Sequence, residues 1–452
     1  MDVLTAIKTK PMKRFQYVSL MACLLVITVD GFDVFVMGFV LPHLPDDFFS
    51  GTAEKGYLLS AGLFGMAAGS ILLAPLADRI GRRKLVQICL TASFVGMVAS
   101  AMSPNVEALI VARLITGIGI GGMAASLVVL VQEYCSDSRR NLMVGIYSIG
   151  FPVGSLVGGG IGTLLVGSLG GSWHVMFAFG AVITLVAIAV AYAFMPESID
   201  FLVTRNTPQA QAEINRIVAR LDDPSIDPDA RPVATPALVA EGSLRSLFSG
   251  RLARRTLLSW IAYASLMCSF YFANTWTPEL VKTASGDANL GTTAGLILSL
   301  GGLFGALTFS LWTLKTSAPR VLWISMLGAA ISIFTFAAFF THSAVAIAIT
   351  AAVGLFTYVA ITASAAVVPQ LYPASSRATA MGWMLGVGRL CSISAPIFVG
   401  YALAVVAPQT LYYFAAIPML IGAWATHALW RLSRRPELES IDIEENAASA
   451  AH

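Results

Sequence analysis

The sequence predicts an all-α integral membrane protein with twelve transmembrane helices arranged as two six-helix bundles. Of its 452 residues, 57% are hydrophobic and 12% are charged, whereas a soluble domain has about 25% charged residues. Twelve apolar runs are each long enough to cross a bilayer. They cover residues 17–41, 57–77, 85–102, 107–131, 141–167, 174–195, 255–278, 292–314, 320–340, 344–370, 378–405 and 410–430.

The basic residues predict the orientation. Twenty-four of the 28 Lys and Arg residues lie at the two ends of the chain and in the loops after the even-numbered runs, and the opposite loops hold only Lys55 and Lys282. By the positive-inside rule both termini are expected in the cytoplasm, which in a bacterial cell means a multi-pass inner-membrane protein. The net charge of +3 is spread over many short loops, which argues against nucleic acid as a partner.

One long polar stretch divides the chain. We therefore expect an N-terminal bundle at residues 1–195, a cytoplasmic linker at 196–253, a C-terminal bundle at 254–435 and a tail at 436–452. Within the linker, the mixed-charge stretch at residues 209–221 has a helical period.

The two predicted bundles repeat each other. The pattern Gln-x-Tyr-x-x-x-Ser-Arg at residues 132–139 recurs at 370–377, and Gly-Leu-Phe-Gly at 62–65 recurs at 302–305. Both repeats fall in equivalent runs of a six-plus-six arrangement, which indicates internal duplication. Duplicated halves with a site between them are typical of transporters that expose the site to each side in turn.

Two carboxylates, Asp30 and Asp33, lie inside the first apolar run. A charge at mid-membrane costs about 3 kcal/mol on insertion scales, so these residues are candidates for a functional site. On a helix they share one face about 4.5 Å apart along the axis, where a shared proton is the natural partner. The alternatives are that Asp30 and Gly31 form a loop, or that both carboxylates are fixed members of structural ion pairs.

Arg113 and Arg389 are the basic residues inside apolar runs. Counting along the runs, Arg389 lies about 18 Å and Asp30 about 20 Å from the cytoplasmic side, in opposite halves. Arg113 and Asp33 also share a depth, so we expect them to form an ion pair. A guanidinium binds a carboxylate substrate through two hydrogen bonds, which assigns that role to Arg389. The alternative is that Arg389 pairs with a carbonyl or carboxylate to hold helices together.

Aromatic side chains in the runs could form the walls of a site for an aromatic ring, although most should be packing or interface residues. The candidates are Tyr147, Tyr263, Phe270, Tyr271, Trp276, Tyr358 and Trp383. No pair of histidines has metal-ligand spacing, so neither a metal nor another cofactor is expected.

The loop at residues 74–84, Ala-Pro-Leu-Ala-Asp-Arg-Ile-Gly-Arg-Arg-Lys, resembles the loop signature of the major facilitator superfamily. The pattern from Arg113 to Gly117, the glycines at positions 150, 154 and 158, and Pro-Glu-Ser at 196–198 resemble further signatures of that superfamily. The resemblance implies the major facilitator fold. A charge network of Asp78, Arg82, Glu133 and Arg140 is expected at the cytoplasmic helix ends. For Arg83 and Lys84 a role in membrane insertion and solvation is at least as reasonable.

Within the superfamily, Asp-Gly-Phe-Asp at 30–33, Asn-Thr-Trp-Thr-Pro at 274–278 and residues 372–389 resemble the aromatic acid:proton symporters. That resemblance implies uptake of benzoate-like carboxylates with protons. The loop at residues 314–320 lacks the usual acidic residue and glycine, Cys391 replaces a usual glycine, and Ile-Asp follows residue 198, all of which indicate a divergent member.

The sequence thus predicts a proton-coupled importer of a small aromatic carboxylate, acting as a monomer and not as an enzyme. The alternative is a superfamily member that carries another organic anion, a sugar or a drug. Asp30 and Asp33 are assigned to proton coupling. The residues assigned to substrate binding are Arg389, Arg113, Asn274, Trp276, Tyr147 and Trp383. The residues assigned to the cytoplasmic gate are Asp78, Arg82, Glu133, Arg140 and Arg377.

Overall fold

The computed structural model describes residues 2–168, 170–205, 207–221, 226, 247–248, 250–313, 315–372 and 374–432. Twelve helices of twenty or more residues lie in this part of the chain. They are α1 (Arg14–Val40), α2 (Thr52–Leu72), α3 (Arg82–Ala101), α4 (Val106–Glu133), α5 (Arg140–Ile161), α6 (His174–Phe194), α7 (Gly250–Ser285), α8 (Ala288–Thr313), α9 (Ala318–Ala338), α10 (Ser343–Val367), α11 (Ala374–Ala402) and α12 (Pro408–Leu432).

The helices α1 to α11 correspond to the 11 spans that are long and apolar enough to cross a membrane in the described part of the chain. Helix α12 has 25 residues and packs against α7 and α9. Helix α7 is longer than the predicted run at 255–278, because it begins at Gly250 and continues through Pro278 to Ser285. Hydropathy missed both ends because they carry polar and basic residues, and a membrane helix tolerates an internal proline where neighbouring groups compensate for the lost hydrogen bond.

The same helix pairs pack in both halves. In the N-terminal half α1 contacts α5 and α6, α2 contacts α4, and α3 contacts α4 and α6; in the C-terminal half α7 contacts α11 and α12, α8 contacts α10, and α9 contacts α10 and α12. Each contact of the first set has its counterpart six helices later. The two halves therefore have the same helix packing, as the sequence repeats predicted.

The repeated Gly-Leu-Phe-Gly motif makes one of these equivalent contacts. A methyl group added at Gly65 of α2 would lie 2.4 Å from the Leu114 carbonyl oxygen of α4. At Gly305 of α8 it would lie 2.4 Å from the Leu355 carbonyl oxygen of α10. The glycines are thus needed because two backbones approach closely at the same place in each half.

The halves meet at the end of the molecule away from the chain termini, through α1 with α7, α2 with α11 and α5 with α8. We call this contact the outer seam. A methyl group added at Gly56 would lie 2.7 Å from the Pro396 carbonyl oxygen, and the hydroxyls of Ser155 and Ser299 are 2.7 Å apart. The seam closes this end.

The opposite end is open between the halves. Gly145 of α5, and Gly382 and Gly386 of α11, lie nearer the ends of the helices on the side of the termini. A methyl group added at any of them would meet no atom within 4 Å. The structure is therefore open on the side that carries both termini.

Two short helices follow α6, at Ile199–Arg205 and Pro208–Leu221. The second confirms the predicted helix at residues 209–221 and buries its apolar face through Ala210, Ile214 and Ile217. Most of the remaining predicted linker lies outside the described residues, and so does the predicted tail at 436–452.

Candidate functional site between the two halves

Asp30 and Asp33 are part of the continuous helix α1, so the loop alternative is wrong. Both are buried, with exposed fractions of 3% and 2%. Buried carboxylates require partners, because an isolated charge in an apolar medium is very costly. The structure gives the two residues different partners.

Asp33 is held within the N-terminal half. Its carboxylate forms an ion pair with Arg113 of α4, which confirms the ion pair expected from their common depth. The Arg113 guanidinium also donates to the Asp33 carbonyl oxygen at 3.1 Å and lies over the Phe177 ring at 5.6 Å. These contacts of Arg113 all lie inside the N-terminal half.

Asp30 faces the other half. The Arg389 guanidinium of α11 and the Asp33 carboxylate both act on it electrostatically, and Asp30 in turn acts on the Tyr147 hydroxyl. Oδ1 of Asp30 and the Tyr147 hydroxyl are buried without a hydrogen-bond partner among the described residues. A buried polar group without a partner costs about 1–3 kcal/mol, so such groups point to a missing ligand, proton or water.

Arg389 lies at the centre of the molecule. Its guanidinium interacts with the Tyr271 hydroxyl of α7, and its Nη1 is 3.9 Å from Sδ of Met66 in the N-terminal half. No described carboxylate forms a salt bridge with it, and it is partly exposed. A guanidinium in this state retains donors for an incoming carboxylate.

Aromatic rings from both halves surround this region. The Phe35 ring of α1 packs on Phe151 at 5.3 Å and on Phe270 at 6.1 Å. Phe270 also packs edge-on to Tyr271 and Tyr358, at 5.3 and 5.2 Å. The Tyr358 hydroxyl is another buried group that lacks a described partner. The arrangement offers apolar faces and hydroxyls beside a guanidinium and a carboxylate, which suits a small ring bearing a carboxylate.

A small cavity lies beside Asp33 and Arg113, walled by Met37, Leu63 and Met66 among other residues. Its volume of about 10 Å³ approaches the room that one water molecule needs. It can supply a proton path or a bridging water, but it is too small for a substrate.

Trp276, also assigned to the substrate site, is fully buried, and its indole nitrogen has no hydrogen-bond partner among the described residues. On α7, the Ser269 hydroxyl donates to the Ala415 carbonyl oxygen of α12, and the Phe272 ring packs on Tyr412 of α12 at 4.9 Å. Trp276 follows Phe272 by four residues, so it lies on the same face. That face of α7 packs against α12 at Ser269 and Phe272.

Two further residues assigned to the substrate site have contacts of their own. Trp383 is 46% exposed and stacks on Trp260, at the open end of α11 and about 9 Å along the helix from Arg389. Asn274 donates to the Phe270 carbonyl oxygen at 2.9 Å, and its backbone packs on Gly38 of α1. Asn274 therefore belongs to the outer seam.

At the helix ends on the side of the termini, Arg82 and Glu133 form the predicted ion pair. Arg140 pairs instead with Asp137, at 2.7 Å, and both side chains are well exposed. Asp137 lies three residues before Arg140, in the turn that precedes α5. The side chains of Asp78 and Arg377, also assigned to this gate, lie outside the described part of the structure.

Glu197 is a member of this network that sequence reasoning did not assign. Its carboxylate accepts hydrogen bonds from the backbone N–H groups of Arg82 and Arg83, at 2.7 and 3.1 Å. It also contacts Gly81, whose φ of +99° is a conformation that few other residues adopt. The carboxylate caps the start of α3, where unpaired N–H groups attract an anion. The Pro-Glu-Ser motif at residues 196–198 was the sequence feature that could have indicated this role of Glu197.

The outer seam holds a second pair that sequence reasoning missed. Nζ of Lys55 lies 2.5 Å from Oε1 of Glu279, joining α2 to α7. One feature of the sequence could have indicated a special role for Lys55, because Lys55 and Lys282 are the only basic residues predicted in the outer loops. Nearby, His43 Nε2 lies 3.0 Å from the Thr292 hydroxyl, which links the end of α1 to α8.

Two duplicated helical halves, closed at one end and open at the other around a buried site of charged groups, define a membrane transporter that works by alternating access. The family model of the Major Facilitator Superfamily matches residues 23–317 and 300–451. The chain belongs to the major facilitator superfamily, as its loop signature indicated, and it is a transporter and not an enzyme.

The curated relatives narrow the family. The chain is 30% identical over 426 residues to a gallate transporter from Pseudomonas putida, and 94% of each chain is covered. It is 29% identical to the 4-hydroxybenzoate transporter PcaK of the same species, over 87% of each chain. The resemblance to the aromatic acid transporter family is thereby confirmed.

Solved structures confirm the fold. The partially occluded inward-open xylose transporter XylE from E. coli matches with a TM-score of 0.71 and 18% identity, covering 93% of this chain and all of that one. At this identity the likeness concerns the fold alone.

Proposed function

We propose that this transporter carries a small aromatic carboxylate, such as a benzoate or hydroxybenzoate, into the cell together with a proton. The proposal depends above all on one observation: Arg389 and Asp30, from opposite halves, are close enough to interact electrostatically in a region that contains aromatic rings of both halves. The names of the relatives, which include gallate, 4-hydroxybenzoate and benzoate transporters, support the substrate class.

Arg389 binds the substrate carboxylate, because a guanidinium matches a carboxylate with two parallel hydrogen bonds. The ring lies among Phe270, Tyr271 and Tyr358. Binding also occupies the positive charge that otherwise stabilises ionised Asp30, so a bound substrate favours proton uptake by Asp30. Substrate and proton then cross together, and the loaded site carries no additional charge.

Asp30 and Asp33 have different parts in this mechanism. Asp30 exchanges the proton, because it faces the second half and has an oxygen without a described partner. Asp33 supports coupling through its position beside Asp30, and it is held there by its ion pair with Arg113. One chain supplies both halves of the site, so a monomer in the bacterial inner membrane is sufficient.

The open side of the structure carries both termini, and the positive-inside rule puts that side in the cytoplasm. The structure then corresponds to the inward-facing state. A reactive tag at Asn206, in the predicted linker and outside the described residues, should stay unlabelled by an impermeant reagent in intact cells. Labelling there would reverse the orientation.

Uptake into proteoliposomes tests the whole proposal. Labelled benzoate, 4-hydroxybenzoate, gallate and xylose are offered with and without an inwardly directed proton gradient. We expect accumulation of one or more aromatic acids that the gradient drives and that a protonophore abolishes. Accumulation of xylose alone, or of an acid without any effect of the gradient, would favour a carrier of a sugar or of another organic anion by a different coupling.

A further inference from the structure

A pocket lies between the start of α7 and the end of α12, on the side of the termini and away from the transport site. Its volume is about 320 Å³. It is lined by Arg254, Trp424, His427, Ala428, Arg431 and Leu432. Five of these residues come from α12, where Trp424, His427, Ala428 and Arg431 are spaced by three or four residues and so share one face.

The charged side chains among the described lining residues of this pocket are all basic. Arg254 and Arg431 bring two guanidinium groups from different helices, and neither forms an ion pair with a described carboxylate. A larger pocket, of about 530 Å³, is lined by Arg79, Arg83, Lys84 and Arg205 together with Glu197 and Glu213. The α7–α12 pocket differs from it in having no carboxylate among its described lining residues.

The surrounding aromatic rings place this pocket at the level of the lipid headgroups. The Trp323 ring lies 5.0 Å from His427, and the Arg320 guanidinium lies over the Trp430 ring at 5.5 Å. Trp424 is 63% exposed. Tryptophans gather at the membrane interface, where one side is apolar and the other is wet.

We propose that this pocket binds the phosphate of an anionic phospholipid. Arg254 and Arg431 hold the phosphate oxygens from two sides through charge-assisted hydrogen bonds. Trp424, Ala428 and Leu432 cover the glycerol and the first carbons of an acyl chain. Basic pockets between membrane helices on the cytoplasmic side suit such headgroups.

Two other occupants are possible chemically. A free phosphate would satisfy the arginines but leave the exposed Trp424 uncovered, so the apolar wall favours a lipid. The tail after α12 contains Glu437, Glu439, Asp442, Glu444 and Glu445. Because the tail also contains Leu438, Ile441 and Ile443, a variant without the tail carboxylates is needed to distinguish the tail from a lipid.

The test is thermal unfolding of the purified full-length protein in detergent. The additions are phosphatidylglycerol, cardiolipin, phosphatidylethanolamine and sodium phosphate, each at matched concentration. We expect phosphatidylglycerol and cardiolipin to raise the Tm, with no comparable rise from phosphatidylethanolamine or inorganic phosphate. The double variant Arg254→Gln/Arg431→Gln should lose most of this rise. Arg216→Gln, which removes an exposed charge of the Pro208–Leu221 helix, should retain it.

Three results would overturn the proposal. The first is an equal rise in Tm in wild type and the Arg254→Gln/Arg431→Gln variant. The second is a rise with inorganic phosphate as large as with the lipids, which would identify a free-anion site. The third is a lipid response that appears only after the five tail carboxylates are replaced by amides, which would identify the tail as the occupant. If the double variant does not fold, Trp424→Ala serves instead and should weaken the lipid response alone.

Discussion

Lys55 and Glu279 join the two halves of the molecule across the outer seam, with 2.5 Å between Nζ and Oε1. The side chain of Glu279 is 2% exposed and that of Lys55 is 15% exposed, so the pair is largely shielded from water. It must break whenever α2 and α7 separate. The pair therefore stabilises the state that is open on the side of the termini.

Replacing Glu279 by Gln should favour the outward-open state. A charge-assisted hydrogen bond is worth about 1.5–3 kcal/mol, so the equilibrium should shift roughly tenfold or more. The measurement is labelling of Ser60→Cys by an impermeant thiol reagent, because Ser60 is buried in the seam against Ile393. Labelling should be faster with Glu279→Gln. Glu107→Gln, at the same end of the molecule on α4, is the control and should leave the labelling rate unchanged. Equal labelling rates in the two variants would show that the pair of Lys55 and Glu279 does not hold the outer seam closed.

The buried pair of Asp33 and Arg113 should show strong coupling in stability. Arg113→Ala leaves an ionised carboxylate without its partner and should destabilise the protein by about 3–5 kcal/mol. Adding Asp33→Asn removes the charge, so the double variant should be more stable than Arg113→Ala. Thermal unfolding of the four proteins of this cycle measures the coupling; a double variant that is less stable than Arg113→Ala would show that the pair is not the relevant interaction.

Asp30→Asn should separate transport from coupling. The amide keeps the shape but cannot exchange a proton, so accumulation against a gradient should be lost while exchange of labelled for unlabelled substrate continues. Both activities can be measured in the same proteoliposomes. If Asp30→Asn and Asp33→Asn each still accumulate substrate in a pH-dependent way, the assignment of coupling to these aspartates is wrong.

Arg389→Lys should fold normally and bind an aromatic acid at least roughly tenfold more weakly, because lysine keeps the charge but loses the planar two-point contact. Ligand-induced thermal stabilisation of the purified protein measures binding. Arg14→Lys, at the exposed start of α1, is the control. Unchanged binding in a folded Arg389→Ala variant would shift the substrate role to Arg113.

Two glycines of α5 provide a matched test of helix packing. A methyl group at Gly154 would lie 2.0 Å from the Thr28 carbonyl oxygen of α1, whereas at Gly145 it would meet nothing within 4 Å. Gly154→Ala should therefore lower stability by about 1–3 kcal/mol through overpacking. Gly145→Ala should be neutral or stabilising, since alanine favours helix by about 1 kcal/mol. Similar melting temperatures for the two variants would argue against close packing of α1 and α5.

The helices could be predicted from sequence because length and hydropathy determine which segments cross a bilayer. The ion pair of Asp33 and Arg113 could also be predicted, since two charges at one depth in an apolar medium need each other. The complete burial of Trp276 could not be predicted, because α7 is apolar nearly all round and its sequence does not mark which side meets α1. Nor could the contact between Lys55 and Glu279, which are 224 residues apart in sequence and meet only when the halves dock.

Gly56 and Gly400 bring α2 and α11 together with backbone against backbone, since a methyl group at Gly400 would lie 3.0 Å from the Gly56 Cα atom. Glycines contribute no side chain to the apolar area of this contact, and the hydrophobic cost of separating two surfaces scales with that area. The hydrophobic part of the cost of opening is therefore smaller here than it would be with larger apolar residues at these positions. Turnover should therefore slow when either glycine is enlarged, even though both lie far from the substrate.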